Sequence, residues 1–173
     1  MEPPKYPVGP YQPEETLDSQ LREKLTAEIA AAPSLLRQAV KGLSEDQLNT
    51  LYKNWTLRQI VHHLADSHVN SYIRFKWTLT EETPLIKAYD ENLWSALPDA
   101  KNGDVEAPIA MMEGIHARWL QLLKTMSLED FSKAFKHPDG RTVPLSRALG
   151  TYAWHGKHHT GQILWVRGQR GWD

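Results

Sequence analysis

Between Thr56 and Glu82 the apolar positions recur with a helical rather than a strand period, and Leu57, Ile60, Val61, Leu64 and Phe75 fall on one stripe. Thr56 and Gln59 are spaced as a capping box, which sets the start of this helix, and Pro84 requires it to stop beforehand. The same period predicts a helix in TLDSQLREKLTAEIAAAPSLLRQAVKGL, bent or broken near Pro33, and another in VEAPIAMMEGIHARWLQLLKTM. A last helix is predicted from about Pro144, a residue suited to a first turn, to about Gly168. SEDQL and SLEDF read as short capped turns. The stretch from Pro84 to Gly103 reads as connection with one helical turn at DENLWSAL, and FKHPDGRTV as a small hairpin around Pro-Asp-Gly. Five prolines in the first thirteen residues predict an extended strap over residues 1–15, packed on the domain or reaching a partner subunit. Four long helices with few strand signals predict an all-α fold: a four-helix bundle formed as one domain over residues 1–173.

Composition narrows the function. With 20 Lys and Arg against 21 Asp and Glu, the net charge of −1 gives no electrostatic reason to expect nucleic acid or an anionic membrane as partner. The absence of cysteine excludes disulfides, thiolate metal sites and a cysteine nucleophile. The start of the chain does not read as a signal peptide and no stretch is long and apolar enough to span a bilayer, so a soluble, cytoplasmic protein is expected.

The eight histidines carry the candidate chemistry. On the last helix Leu145, Ala148, Leu149, Tyr152, Ile163 and Val166 gather into one sector. His155 and His159 fall inside it, about 40° apart, while His158 is turned roughly 100° from His159. Two imidazoles at i and i+4 on a core-directed face can converge on one metal ion. A pair of this spacing also arises by chance on surfaces, and it is the phase within the apolar sector that favours the ligand reading. On the second long helix His63 stands at the edge of the apolar stripe, in line with Ser67, Asn70 and Arg74. That row suits one wall of a pocket and makes His63 the third ligand. Three neutral imidazoles leave an open position on zinc, nickel or a similar divalent ion, which then acts as a Lewis acid.

Other residues have weaker claims. Ser67, Asn70, Arg74 and Tyr152 are candidates to position a substrate, or to face water or core. Asp66 is either a carboxylate that orients a ligand histidine or an ordinary surface acid. His62, His158 and His137 are expected in solvent or loop. His68 and His116 are expected to face the core with hydrogen-bond partners, His116 being also placed to line the pocket.

WTLRQIVHHLADSH, followed about ninety residues later by YAWHGKHH, resembles the DinB-like superfamily of metal-binding four-helix bundles. YPVGPY, NSYIRFKWTLTEETP, YDE and FKHPDG are similar to its YfiT branch, described as metal-dependent hydrolases, and the resemblance runs over nearly the whole chain. It implies one divalent metal ion per subunit, zinc or nickel, held by His63, His155 and His159, in a homodimer. Some relatives have a further histidine where this chain has Gln162. The wider superfamily includes transferases of low-molecular-weight thiols such as bacillithiol or mycothiol.

Three readings follow. The first is a hydrolase in which the metal activates water against a small-molecule substrate; its general base is unassigned, since no Asp or Glu stands within a turn of the last histidine pair. The alternative is an S-transferase conjugating a bacillithiol-like thiol, held as thiolate, to an electrophile. The third is a binding protein in which the ion only braces the bundle. The hydrolase is the expectation carried forward.

Overall fold

The computed structural model describes residues 2–13 and 16–172. Met1, Glu14, Glu15 and Asp173, at the limits of the predicted strap and domain, lie outside the described residues. Helix α1 (Ser19–Val40) starts where the Asp18 carboxylate accepts the Leu21 N–H at 2.7 Å. Contrary to the expected bend or break, it runs through Pro33. A proline within a helix withdraws one N–H and crowds the preceding turn. Here burial of Ile29, Ala32, Pro33 and Leu36 in the bundle offsets that penalty, each large apolar side chain contributing about 1.5–3 kcal/mol.

Helix α2 (Glu45–Leu48) is closed by a Ser44–Gln47 capping box. A hairpin of β1 (Leu51–Tyr52) and β2 (Trp55–Thr56) follows, with Leu51 opposite Thr56. The sequence does not announce it, because two-residue strands show no alternation. Its end is the start of α3 (Leu57–Thr80), where Thr56 and Gln59 form the expected capping box. The connection holds α4 (Glu91–Ser95) and α5 (Pro98–Asn102) ahead of α6 (Glu106–Thr125). A 3₁₀ turn at Asp130–Ser132 and a hairpin of β3 (Ala134–Lys136) with β4 (Thr142–Pro144) lead into α7 (Leu145–Arg170). In this hairpin Phe135 pairs with Val143.

The four long helices form the predicted bundle. Helices α1 and α3 each pack against both α6 and α7, so α1 lies diagonal to α3, and α6 to α7. Two apolar clusters fill it. One centres on Leu36, Leu57, Ile60, Leu64, Ile109 and Met112, the other on Ile29, Phe75, Trp119, Leu123 and Leu149. A belt of imidazoles separates them: His68 lies between Leu64 and Tyr72 on α3, His116 between Met112 and Trp119 on α6, and His155 and His159 between Ala153 and Ile163 on α7.

The strap packs along α7. Tyr52 donates its hydroxyl hydrogen to the Pro4 carbonyl, and Trp154 Nε1 donates to the Gly9 carbonyl at 2.9 Å. A Cβ at residue 161 would stand 2.9 Å from Val8, so glycine there gives the strap its seat. Among the described residues, no helix is long and apolar enough to cross a membrane.

Candidate metal centre

Because α3 and α7 run antiparallel, one turn of each faces the other. His63 comes opposite His155, with their Nε2 atoms 3.2 Å apart, and Ser67 comes opposite Tyr152. His63, His155 and His159 each offer a ring nitrogen, and the three lie within 4.8 Å of one another. The edge of a tetrahedral zinc site with imidazole ligands is about 3.3 Å, close to the His63–His155 separation.

The surrounding hydrogen bonds decide which nitrogen of each α7 ring carries the lone pair. Pro33 has no N–H to give the Ile29 carbonyl, and that oxygen instead accepts from His116 Nδ1 at 2.7 Å. His116 Nε2 is therefore an acceptor, and takes the hydrogen of His68 Nδ1 at 2.8 Å. His68 Nε2 in turn accepts from His155 Nδ1 at 3.3 Å, leaving the lone pair of His155 on Nε2, towards His63. A second chain does the same for His159, whose Nδ1 donates to Gln162 Oε1 at 2.8 Å, leaving its lone pair on Nε2. The Gln162 amide donates to His158 Nε2 at 3.1 Å. Burial keeps the rings neutral. It lowers the pKa of His63 to about 4, with a contribution from His158, and holds His155 and His159 well below the ordinary value, with repulsion from neighbouring imidazoles, His63 and His158 among them, adding to it. Neutral imidazoles with oriented lone pairs are the donor set a borderline divalent ion takes, so these residues fit zinc or nickel.

The three rings open onto a cavity of about 700 Å³. Of the expected pocket residues, Ser67, Arg74 and Tyr152 line it. Ser67 Oγ donates to the Tyr152 hydroxyl at 3.3 Å. Asn70 does not line it, because its amide turns to the Asp66 carbonyl at 2.9 Å within α3. The expectation for Asp66 is also corrected: among the described residues no hydrogen bond joins its carboxyl to His63. Burial, then the charge of Asp99, push that carboxyl up to about 6.

Two other histidines depart from expectation. His158 is buried, since the strap lays Tyr6 over it and Trp154 stacks on it with centroids 4.5 Å apart. His62 is half-buried because the end of α5 covers it; a Cβ on Gly103 would be 3.2 Å from its ring. His116, 2 % exposed, faces the core with partners as expected and does not line the cavity. His68 faces the core with partners as expected, and His137 sits in the β3–β4 loop, 3.0 Å from Asp139.

Sequence reading missed Trp55, whose ring centroid is 4.6 Å from that of His63, because the hairpin carrying it gives no periodic signal. It also missed Arg147 and Thr151 on the cavity wall, although both precede His155 at helical spacing. Tyr89 reaches the wall from an irregular connection; burial pushes its hydroxyl up to about 12.

The fold and the histidine cluster are those of a four-helix bundle with a candidate metal site, and comparison places it. A DinB superfamily profile matches residues 28–163, and the chain belongs to that superfamily. It is 44% identical over 171 residues to the Bacillus subtilis (strain 168) protein named "Putative metal-dependent hydrolase YfiT", covering 97% of this chain and 96% of that one. A Bacillus cereus (strain AH820) protein of similar designation is 44% identical over 170 residues, covering 97% and 98%. The solved structure of Bacillus subtilis YfiT, described as "a probable metal-dependent hydrolase with an unusual four-helix bundle topology", superposes with a TM-score of 0.94 over 97% of this chain and 98% of that one. A mycothiol-dependent maleylpyruvate isomerase shares the fold at a TM-score of 0.66 and 20% identity, over 82% of this chain and 60% of that one.

Proposed function

We propose that the chain is a hydrolase of small molecules that works with one divalent metal ion, zinc or nickel, held by His63, His155 and His159. The observation that carries this reading is the pinning of two imidazoles, by separate hydrogen-bond chains, with their lone pairs on the nitrogens left free for an ion at the wall of a roomy cavity. An ion that only braced the bundle would need no such cavity. Bound there, a divalent ion supplies Lewis acidity, polarising an electrophile and acidifying water towards neutral pH.

The chain's own residues do the rest. His68 and Gln162 hold the two α7 imidazoles in one tautomer and orientation. Tyr152 accepts from Ser67 and so keeps its own hydrogen to donate to an oxygen of the substrate. Tyr89, its hydroxyl pushed up by burial, acts as a donor and not as a base. Trp55 packs on the His63 ring and narrows the access of bulk water. The resemblance to YfiT-type proteins supports a cytoplasmic homodimer in which each chain, as one domain, holds one ion.

The test is an assay of protein purified with its native metal, the metal being identified by elemental analysis, against ester and amide panels. A parallel arm offers bacillithiol and an electrophile. Hydrolysis that disappears on chelation and returns with zinc or nickel supports the proposal. Hydrolysis that survives complete metal removal, or turnover confined to the thiol arm, overturns it.

A further inference from the structure

Two arginines on the cavity wall have no carboxylate among the described residues to answer them. Arg74 is half-buried on α3, and its Nε is shut off from solvent with no hydrogen-bond partner. Arg147 on α7 offers its backbone carbonyl to Tyr11 and Thr151, while among the described residues no acid pairs with its guanidinium. The third arginine on this wall, Arg141, is already engaged by Asp139 at 2.6 Å. Glu91, exposed, is the one carboxylate among the described lining residues.

The helices bring these two arginines to the same end. Arg74 lies eleven residues after His63 and Arg147 eight before His155. On antiparallel helices these offsets point the same way, about 16 Å and about 12 Å along the axes from the histidines. The Arg74 Nε, shut off from solvent, is a costly donor unless an acceptor arrives; Arg147 is exposed, and its planar N–H donors, like those of Arg74, match carboxylate and phosphate oxygens.

We infer that the substrate is an anion: a carboxylate or phosphate group docks on Arg74 and Arg147 at one end of the cavity, while the bond to be broken lies at the histidine end, on the order of 10 Å away. This inference rests on the hydrolase reading for the identity of the reacting end, but not for the docking itself. Positive charge at one end would admit the molecule in a single orientation and present its electrophilic centre to the three imidazoles.

Binding without turnover tests it. Benzoate, phenyl phosphate and neutral benzamide are titrated calorimetrically into the full-length, metal-loaded protein. The better of the two anions should bind about tenfold or more tightly than benzamide, and which of them wins names the group. Arg74→Gln and Arg147→Gln should each remove most of that preference, while Arg118→Gln, whose guanidinium lies over the Tyr72 ring, should leave it unchanged. Circular dichroism checks folding, and because Arg147 is exposed its variant keeps the test alive if Arg74→Gln does not fold. Equal binding of all three probes overturns the proposal. So does an anion preference that survives both arginine variants and disappears in His155→Ala, which would place the anion on the histidine centre. A negative ester assay combined with arginine-dependent binding would reject hydrolysis and retain the anion site.

Discussion

His68 Nε2 stands 3.3 Å from Nδ1 of His155, and that contact decides which nitrogen of His155 is left for an ion. His68 is fully buried and so lends rigidity as well as a hydrogen bond. Replacing it by Leu should weaken zinc affinity about 10- to 100-fold, measured by competition with a chromophoric chelator, while the stoichiometry stays at one ion per chain. His68→Gln retains an acceptor and a donor and should recover much of the loss. Equal loss in both variants would show that packing, not tautomer control, is the role of this residue.

The same chain begins at a proline. Without an N–H at residue 33, the Ile29 carbonyl is left for His116. Pro33→Ala restores the helical donor, so α1 should become more stable while His116 meets a competitor for its acceptor. The expected outcome is a raised melting temperature of the metal-free protein together with several-fold weaker zinc binding. A change of the two in the same direction would refute the link.

What the sequence made legible was whatever repeats. Helical phase located four long helices and brought forward His63, His155 and His159, the rings that lie within 4.8 Å of one another. It failed where burial comes from elements without a period of their own. The strap covers His158 and α5 covers His62, so two rings on the outward sides of their helices are shielded all the same. Pro33 reads as a breaker because propensity weighs the lost hydrogen bond, whereas tertiary packing keeps the helix and gives the freed carbonyl another partner. Arg147 was within reach of the same periodic reasoning, two turns before His155, had that face been followed towards the start of α7.

Single alanine replacements separate the rings by role. His63→Ala, His155→Ala and His159→Ala should each abolish stoichiometric metal binding, measured by elemental analysis after dialysis. His62→Ala should leave it intact. His158→Ala should keep the ion but loosen the strap, since that ring is stacked on Trp154 and faces Tyr6. The expected readout is faster proteolysis within the first thirteen residues at unchanged metal content. Loss of metal from His62→Ala and His158→Ala equal to that in the other three would leave the assignment without support.

Stability should depend on pH in a direction set by the belt. Burial lowers His63 and His116 to about 4 in the folded protein, against 6.5 for a free side chain. Between those values the unfolded chain takes up protons that the folded chain refuses, so stability is complete above about 6.5 and is lost as the pH falls towards 4. Each of these rings contributes on the order of 3 kcal/mol to that loss. Asp66 acts with the opposite sign. Its carboxyl is pushed up to about 6 from 3.8, so the folded chain protonates first and stability is gained as the pH falls through that interval. The buried rings outnumber the one acid, and the chelated protein should show a melting temperature that declines steadily below about pH 6.5. Asp66→Asn removes the opposing contribution. It should be more stable than the parent at neutral pH and should lose stability more steeply on acidification, and calorimetric scans of both proteins across the interval would reveal a flat or inverted profile if the imidazoles were not buried and neutral.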